Sequence, residues 1–424
     1  VRPRRNCAST DCRRSWCFAR GIAARVTTVR AVREGFEMAA DDGAATAGGR
    51  LMTALFVRGE LSRARATTLA GLSRSAAGTA IDDLERLGLA ESLEPLETAR
   101  RGRPSPRLRL IPGAAAAIAL EVDHDRVRAS IVDLDRRIIA ATDHPLAVAE
   151  LAPETALRSI AGILERTIAA SSRRIVGVGV SAPGIVSADG IVRSALPIGW
   201  HDVPARELLR EMLAPELHLS VEHDATLGAL GEYRSGASDR HVSRFLYLTA
   251  QPRGLGAAMI TSPRRALLPG LYGLQAGHLS VDPRGRRCPC GASGCLELYT
   301  NGDSIRSTLG LGFEASETEI AERLRDDASS FVESEAMQCL ELGLVALVNT
   351  LVPDRIVLSQ ALRPVALAFS ERLHAALRRS VVAQSHEITI GAGRLDDSVA
   401  IGAAERAFES LLLDPAATVQ QLAA

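Results

Sequence analysis

Four residues able to grip one cation stand close together in the sequence: His278, Cys288, Cys290 and Cys295. The cysteines follow the pattern Cys-x-Cys-x4-Cys, and the histidine lies ten residues upstream. One imidazole and three thiolates form a closed tetrahedral set for Zn²⁺ with no position left for water, the donor set of a structural site. Pro289, Gly291 and Gly294 allow the tight turns that bring close-spaced sulfurs around one ion. Three reduced thiols in a surface loop is the plainer alternative, and four donors at short spacing outweigh it.

Such a loop needs a framework, and the chain supplies strands on both sides of it. Residues 116–123, 126–133 and 137–142 read as three short strands, turning at His124-Asp125 and Asp135-Arg136. A helix over 153–170 follows, then a strand over 175–181 and the Ala182-Pro183-Gly184 turn. A related order recurs at 244–250, 254–261 and 265–268, before the cysteine loop and the long helices after 330. This approximate duplication predicts two α/β lobes around a cleft, about 113–240 and 241–400, with a C-terminal helix beyond.

Ahead of the lobes, residues 46–112 read as a compact DNA-binding unit. Leu51, Leu55 and Phe56 stripe a first helix that ends near Arg58-Gly59. Ser62 caps a second helix through Leu69, and Gly71-Leu72 turns the chain. Ser73 caps a third helix with Ala77, Ile81, Leu84 and Leu87 inward, which Gly88 stops. Helix, glycine turn, helix is the helix-turn-helix layout, whose second member enters the major groove. Two strand-like runs then bracket Arg100-Arg101-Gly102-Arg103-Pro104, a wing with an arginine-rich tip.

Between 46 and 110 there are 11 arginines against 7 carboxylates, a local surplus in a chain whose formal net charge is zero. Guanidinium groups gathered on a wing suit phosphates or a narrow minor groove. Arg74, Ser75, Ala76 and Thr79 are the candidate base readers, and Arg101 and Arg103 the candidate backbone contacts. Gly78 interrupts the reading helix, at a cost of about 1 kcal/mol against alanine. A basic solvated hairpin or a protein-interaction module is the competing reading.

The chain has 424 residues, 46% of them hydrophobic, enough for two or three domains with ordinary cores. No apolar run reaches membrane-spanning length, and the cysteines form no disulfide framework, so a cytoplasmic protein is expected. Every one of the 50 basic residues is arginine. Residues 1–45 stand apart. The first 37 hold Cys7, Cys12, Cys17 and nine arginines without periodicity, which predicts a disordered or mis-annotated extension and a true start at Met38.

These motifs resemble one known family. Gly277-His278, Cys288, Cys290-Gly291, Gly294-Cys295 and Leu296-Glu297 each match the zinc loop of the ROK family (repressors, open reading frames, sugar kinases). The resemblance runs from about residue 46 to about 410, and includes Leu61-Ser62-Arg63 and the Gly-Arg-Pro of the wing. It implies a winged helix-turn-helix followed by an actin-like, ribonuclease H-like sugar-kinase fold. The family's kinases carry Asp-x-Gly-Gly-Thr after the first strand, where this chain has Asp123-His124-Asp125-Arg126-Val127. Their second phosphate turn, Gly-Thr-Gly-Ile-Gly, corresponds to a stretch reading Gln251-Pro252-Arg253-Gly254-Leu255-Gly256, and their Gly-Gly turn to Ser359-Gln360-Ala361. Three phosphate contacts altered together point away from ATP use, because such turns work by letting backbone N–H groups approach the phosphates.

On the sugar side the resemblance makes Asp224 the counterpart of the kinase base, here a ligand contact or a helix cap rather than a catalyst. His223 stands where the family has asparagine, and Gln275 where it has glutamate. His278 and Glu297 match further ligand contacts, and Gly199-Trp200 matches a segment lining the sugar pocket or, equally, a core tryptophan. The resulting expectation is a zinc-containing transcriptional regulator of carbohydrate metabolism, a repressor. It would bind a double-stranded DNA operator as a homodimer or homotetramer and answer to a sugar or sugar-phosphate effector. A sugar kinase (glucokinase-like or acting on N-acetylhexosamines) and a ligand-independent regulator held by a protein partner are the rivals.

Overall fold

The computed structural model describes residues 45–94, 105–237, 242–261 and 273–423. The expected extension up to residue 44 with Met38, the wing tip with Arg101 and Arg103, and the proposed strand at 265–268 lie outside those residues. No helix among the described residues is long and apolar enough to cross a membrane.

The N-terminal part holds α1 (Ala47–Arg58), β1 (Leu61–Ser62), α2 (Arg63–Leu69), α3 (Arg74–Arg86), β2 (Ala90–Leu93) and β3 (Arg107–Leu110). Its caps are those the sequence suggests. Ser62 Oγ accepts from the Arg65 N–H at 3.3 Å and Ser73 Oγ from the Ala76 N–H at 3.2 Å, satisfying donors that helix starts leave free. Gly71 and Gly88 sit at φ 62° and 68°, left-handed values that cost glycine nothing. Periodicity does not reveal β1: Leu61 pairs with Leu108, so β3 lies between β1 and β2 in an antiparallel sheet.

In the first lobe come β4 (Ala116–Val122), β5 (Arg126–Asp133), β6 (Ile138–Pro145), α4 (Pro153–Ala170) and β7 (Ile175–Ala182). A small antiparallel sheet of β8 (Ile185–Val186), β9 (Val192–Ala195) and β10 (Trp200–Val203) follows, then α5 (Ala205–Met212), β11 (His218–His223) and α6 (Asp224–Glu232). The main sheet has the order β11-β7-β4-β5-β6, parallel across β11, β7 and β4. Its centre is apolar on both faces, as parallel strands covered by helices must be.

The second lobe contains β12 (Phe245–Ala250), β13 (Leu255–Ile260), α7 (Glu297–Thr300), α8 (Gly302–Thr308), α9 (Glu317–Asp326), α10 (Ala328–Glu333) and α11 (Glu335–Leu351). It continues through β14 (Arg355–Gln360), α12 (Leu362–Ala368), α13 (Ser370–Leu377) and β15 (Thr389–Ala392), in a sheet of order β13-β12-β14-β15. The chain then returns to the first lobe through α14 (Ser398–Ala407), α15 (Glu409–Leu413) and α16 (Pro415–Gln421).

Helix α14 is the junction of the molecule. It packs on α6, β7 and β4, and its first residue bonds the second sheet through Ser398 Oγ and Tyr247 Oη at 2.8 Å. The crossing with α6 depends on a missing side chain, since a Cβ on Gly402 would stand 1.8 Å from the Leu227 carbonyl. Overpacking of this kind typically costs 1–3 kcal/mol, so Gly402→Ala should lose about that much stability or more. A urea midpoint unchanged from wild type would show that the helices can separate without penalty.

Nor does the apolar core stop at the expected domain boundary near residue 112. Leu51, Met52, Leu55 and Phe56 of α1 share one cluster with Ala117, Ala119, Phe408, Leu411 and Leu412. Phe56 meets Phe408 edge-on, with ring centroids 5.7 Å apart.

Candidate functional site

The cysteine loop folds by short backbone bonds. The Cys288 N–H donates to the Ala292 carbonyl at 2.9 Å, and the Gly294 N–H to the Arg286 carbonyl at 2.7 Å. Gly291 and Gly294 take φ 96° and 67°, and a Cβ on Gly294 would fall 1.7 Å from the Asp282 carbonyl oxygen. The loop therefore closes only with glycine there. His278 arrives from the opposite side, at the end of a single turn over Ala276–His278.

One ligand atom from each of His278, Cys288, Cys290 and Cys295 lies within 4.8 Å of every other. Cys288 Sγ is 3.6 Å from His278 Nδ1, and Cys290 Sγ is 3.6 Å from Cys295 Sγ, all as free thiols. A tetrahedron with metal–sulfur bonds of about 2.3 Å has sulfur–sulfur edges of roughly 3.7 Å, so the spacing fits a cation at the centre. Burial pushes the Cys288 and Cys295 thiols up, while the Ala292 N–H holds Cys290 down. Ionising two buried sulfurs needs a compensating positive charge, which a cation would supply. Glu297 Oε1 lies 3.2 Å from Cys288 Sγ and 3.3 Å from His278 Nδ1, so it borders the cysteine–histidine group.

A second cluster gathers where β11 meets α6. His223 occupies the helix N-cap position but makes no capping bond, and Asp224 opens the first turn. Asp224 is thus not the N-cap itself, although its carboxylate accepts the Ala225 N–H. Its other oxygen accepts from Gln251 Nε2 at 2.9 Å, and His223 Nε2 lies 3.2 Å from Oδ1. The imidazole, 5% exposed, also faces Thr226 Oγ1 at 3.3 Å and packs beneath Gly273, where a Cβ would be 1.8 Å from Nδ1. Gln275 donates to the Gly184 carbonyl at 3.4 Å.

The two clusters share a border. A Cβ on Gly256 would lie 3.7 Å from Asp224 Oδ1, and one on Gly277 would lie 2.6 Å from the neighbouring Leu255 carbonyl and 3.2 Å from Glu297 Oε2. His223, Asp224 and Gln275 therefore meet at one end of β13, with Glu297 and His278 just beyond. Gln251 had no assigned role in the sequence, because only the fold places its amide on Asp224. Trp200 is 2% exposed in the first-lobe core, so of its two readings the core is what the structure supports.

The three altered phosphate turns are each occupied by the chain's own groups. His124 bridges Asp123 at 2.8 Å and Asp125 at 3.3 Å, and Arg128 reaches Asp397 at 3.3 Å. The carbonyls of Gln251 and Pro252 accept the Gly302 and Asp303 N–H groups at the start of α8, at 2.7 and 2.9 Å. Gln360 takes φ 51°, the left-handed turn a glycine would adopt freely, and carries a side chain into it.

Beside this region burial pushes the Glu121 carboxyl up to about 7, with Arg128 pulling the other way. A carboxyl raised on folding favours the fold at low pH and loses that benefit as pH climbs from about 4.5 to about 7. His218 runs opposite. Burial lowers it to about 4, so the fold loses stability as pH falls from about 6.5 towards 4. The two offset each other between about 4.5 and 6.5. Glu121→Gln should remove up to about 3 kcal/mol of the loss above pH 5. Denaturant titrations at pH 5 and pH 8 check this, and equal pH slopes in both proteins would contradict it.

At the N-terminal end, Arg74, Ser75 and Thr79 are exposed on the first turns of α3, with Ala76 half-buried beside them. Ser75 Oγ is 3.1 Å from the capping Ser73 Oγ, and Thr79 Oγ1 donates to the Ser75 carbonyl at 3.4 Å. Arg63 of α2 lies beside Gly78, its Nη2 at 3.4 Å from where a Cβ would stand, an ordinary contact distance. Arg63 thus joins the α3 face from α2, a contact that residue spacing did not suggest. On β3 Arg107 pairs with Glu60, and Arg109 with Glu91 of β2 at 2.6 Å.

Comparison with known proteins agrees with this architecture. The chain is 22% identical over 323 residues to the xylose repressor of Bacillus spizizenii, covering 74% of this chain and 81% of that one. It is 33% identical over 139 residues to the glucokinase of Halalkalibacterium halodurans, covering 32% and 40%. A solved ROK family transcriptional regulator, described as a homolog of the Escherichia coli MLC protein, superposes with a TM-score of 0.70 at 19% identity, over 88% of this chain and 98% of that one. Residues 117–409 match the ROK family, and the chain belongs to it.

Proposed function

We propose that this protein is a transcriptional repressor of carbohydrate metabolism, binding operator DNA through a winged helix-turn-helix at 46–112. The body at 113–424 then senses a sugar or sugar phosphate and does not turn over ATP. The observation that carries the reading is the α3 face. Arg74, Ser75 and Thr79 stand exposed on a helix fixed by its own cap and core, and Arg63 flanks them. A helix so presented fits the major groove, and the arginines of the wing fit the flanking phosphates. Relatives named as repressors span most of the chain's length and support the same choice.

In this reading His278, Cys288, Cys290 and Cys295 hold Zn²⁺, which braces the loop that carries Glu297 to the cleft. A ligand hydroxyl would donate to Asp224 in place of the Gln251 amide, with His223, Gln275, His278 and Glu297 around it. Closing the lobes on that ligand would shift α14, and through α14 the winged helices. The ligand acts only as far as it prefers one arrangement. A cytoplasmic homodimer or homotetramer would read half-sites about 10 base pairs apart or a multiple of that.

The test pairs two assays on the full chain. Fluorescence anisotropy with duplexes from its own promoter region should give salt-dependent binding, altered by one member of a sugar panel. Coupled ATP turnover with hexoses and N-acetylhexosamines should stay at background. ATP consumption with any sugar would establish the kinase reading, whose foothold is the retained Asp224. DNA binding unmoved by every sugar would favour control by a protein partner.

A further inference from the structure

We infer that Arg136 is a positioning residue, passing the state of helix α14 to the DNA-binding head through Phe56. This rests on the DNA-binding reading above, but its structural half can be tested without DNA.

Three groups from distant parts of the sequence meet in the dark beneath α1. Glu405, on α14, has a side chain only 2% exposed and lies 3.3 Å from Arg136 and 3.0 Å from Arg234. Arg234 follows α6, the helix that Asp224 opens, and its backbone carbonyl accepts from Arg136 Nη1 at 3.2 Å. Arg136 then turns outward to the head. Its Nη2 donates to the Phe56 carbonyl in the last turns of α1, and its guanidinium carbon lies 4.6 Å from the centroid of the Phe56 ring. One side chain therefore touches the α14 carboxylate, the end of the α6 segment and the head.

Helix α14 is placed to carry a signal to that point. Its first residue bonds Tyr247 of the second sheet. Near its other end Arg406 pairs with Glu222, the residue before His223 and Asp224. A displacement of one lobe against the other moves Glu405 along with α14. A guanidinium ion-paired with Glu405 and hydrogen-bonded to the Phe56 carbonyl cannot follow without pulling on Phe56. Burial of the triad makes slack expensive, because a charge that loses its partner away from water is strongly disfavoured.

The backbone adds an independent sign. Arg136 sits at φ 67°, the left-handed region that disfavours any residue with a Cβ. A glycine would fit the Asp133–Arg137 turn better. The side chain is held there by its three sets of contacts, and this supplies a clean variant: Arg136→Gly removes the guanidinium while relaxing the turn.

Hydrogen exchange on the full chain decides the matter. In Arg136→Gly the amides of the last turn of α1, 55–59, should exchange about tenfold faster, while α4 and α11 keep their wild-type protection. Glu405 keeps Arg234 at 3.0 Å and the turn relaxes, so the melting temperature should stay within about 2 °C, which separates positioning from a general loss of structure. Glu405→Gln should loosen the same amides, and Arg136→Ala with Glu405→Gln together should loosen them no further than Arg136→Ala alone. Affinity for the promoter duplex should fall about tenfold in Arg136→Gly. Unchanged exchange at 55–59, or effects of the two substitutions that multiply, would overturn the proposal. So would loosened exchange with undiminished DNA binding. Absence of DNA binding by the wild type would refute the functional reading instead, and the exchange result would still say whether Arg136 ties the head to α14.

Discussion

Cys290→Ser is expected to abolish metal binding and to soften the second lobe, the largest single effect the structure points to. The side chain is exposed, so a serine there opens no cavity and breaks no packing. What it removes is one of four donors converging on a common centre. Metal analysis of purified protein should fall from about one ion per chain to near zero, since a structural site missing a thiolate loses most of its affinity. A ligand present at a thousand times its dissociation constant stabilises by about 4 kcal/mol, and the variant should forfeit an amount of that order. Chelation of the wild type should bring its melting temperature down to that of the variant, and chelation of the variant should do nothing more. Cys339→Ser, in the core of the second lobe and outside the four-residue group, should keep the metal. Full metal occupancy in Cys290→Ser would refute the donor set.

The second large effect falls on the α3 face. Arg74→Ala should cost about 1–3 kcal/mol against the preferred operator and much less against unrelated duplex, because a base-edge contact carries sequence information. Nothing structural should change, since Arg74 is exposed and follows the Ser73 cap instead of packing in the core. Arg103→Ala should behave differently. A phosphate contact at the wing weakens binding to every duplex alike and lowers the slope of log affinity against log salt by about 1. Anisotropy titrations at three salt concentrations, on operator and scrambled duplexes, separate the two patterns. An Arg74→Ala protein that loses specific and unspecific binding equally would move that residue from base reader to phosphate contact.

Both predictions touch residues that local chemistry exposes. The gathering of His278 and the three cysteines can be read from the sequence because cysteine and histidine at short spacing have few other uses, and because Gly291 and Gly294 advertise the turns between them. Ser62, Ser73, Gly71 and Gly88 announce the helix ends for the same reason, since capping and left-handed turns are decided within a few residues. Strands came out less well. Leu61–Ser62 is too short to show periodicity and exists as a strand only because β3 lies beside it.

The sequence alone determined the ROK membership, the closeness of the one histidine and three cysteines, the three changed phosphate turns and the order of helices in the N-terminal part, all matters of residue type and near spacing. Only the tertiary structure decided that Gln251 takes the Asp224 carboxylate, that Arg63 lies beside Gly78, and that Glu405 joins Arg136 and Arg234 beneath α1. Those contacts join residues from about 15 to about 270 positions apart, and the energy that selects them comes from burial shared among several elements at once. No window of sequence contains both partners, so no local pattern can disclose them.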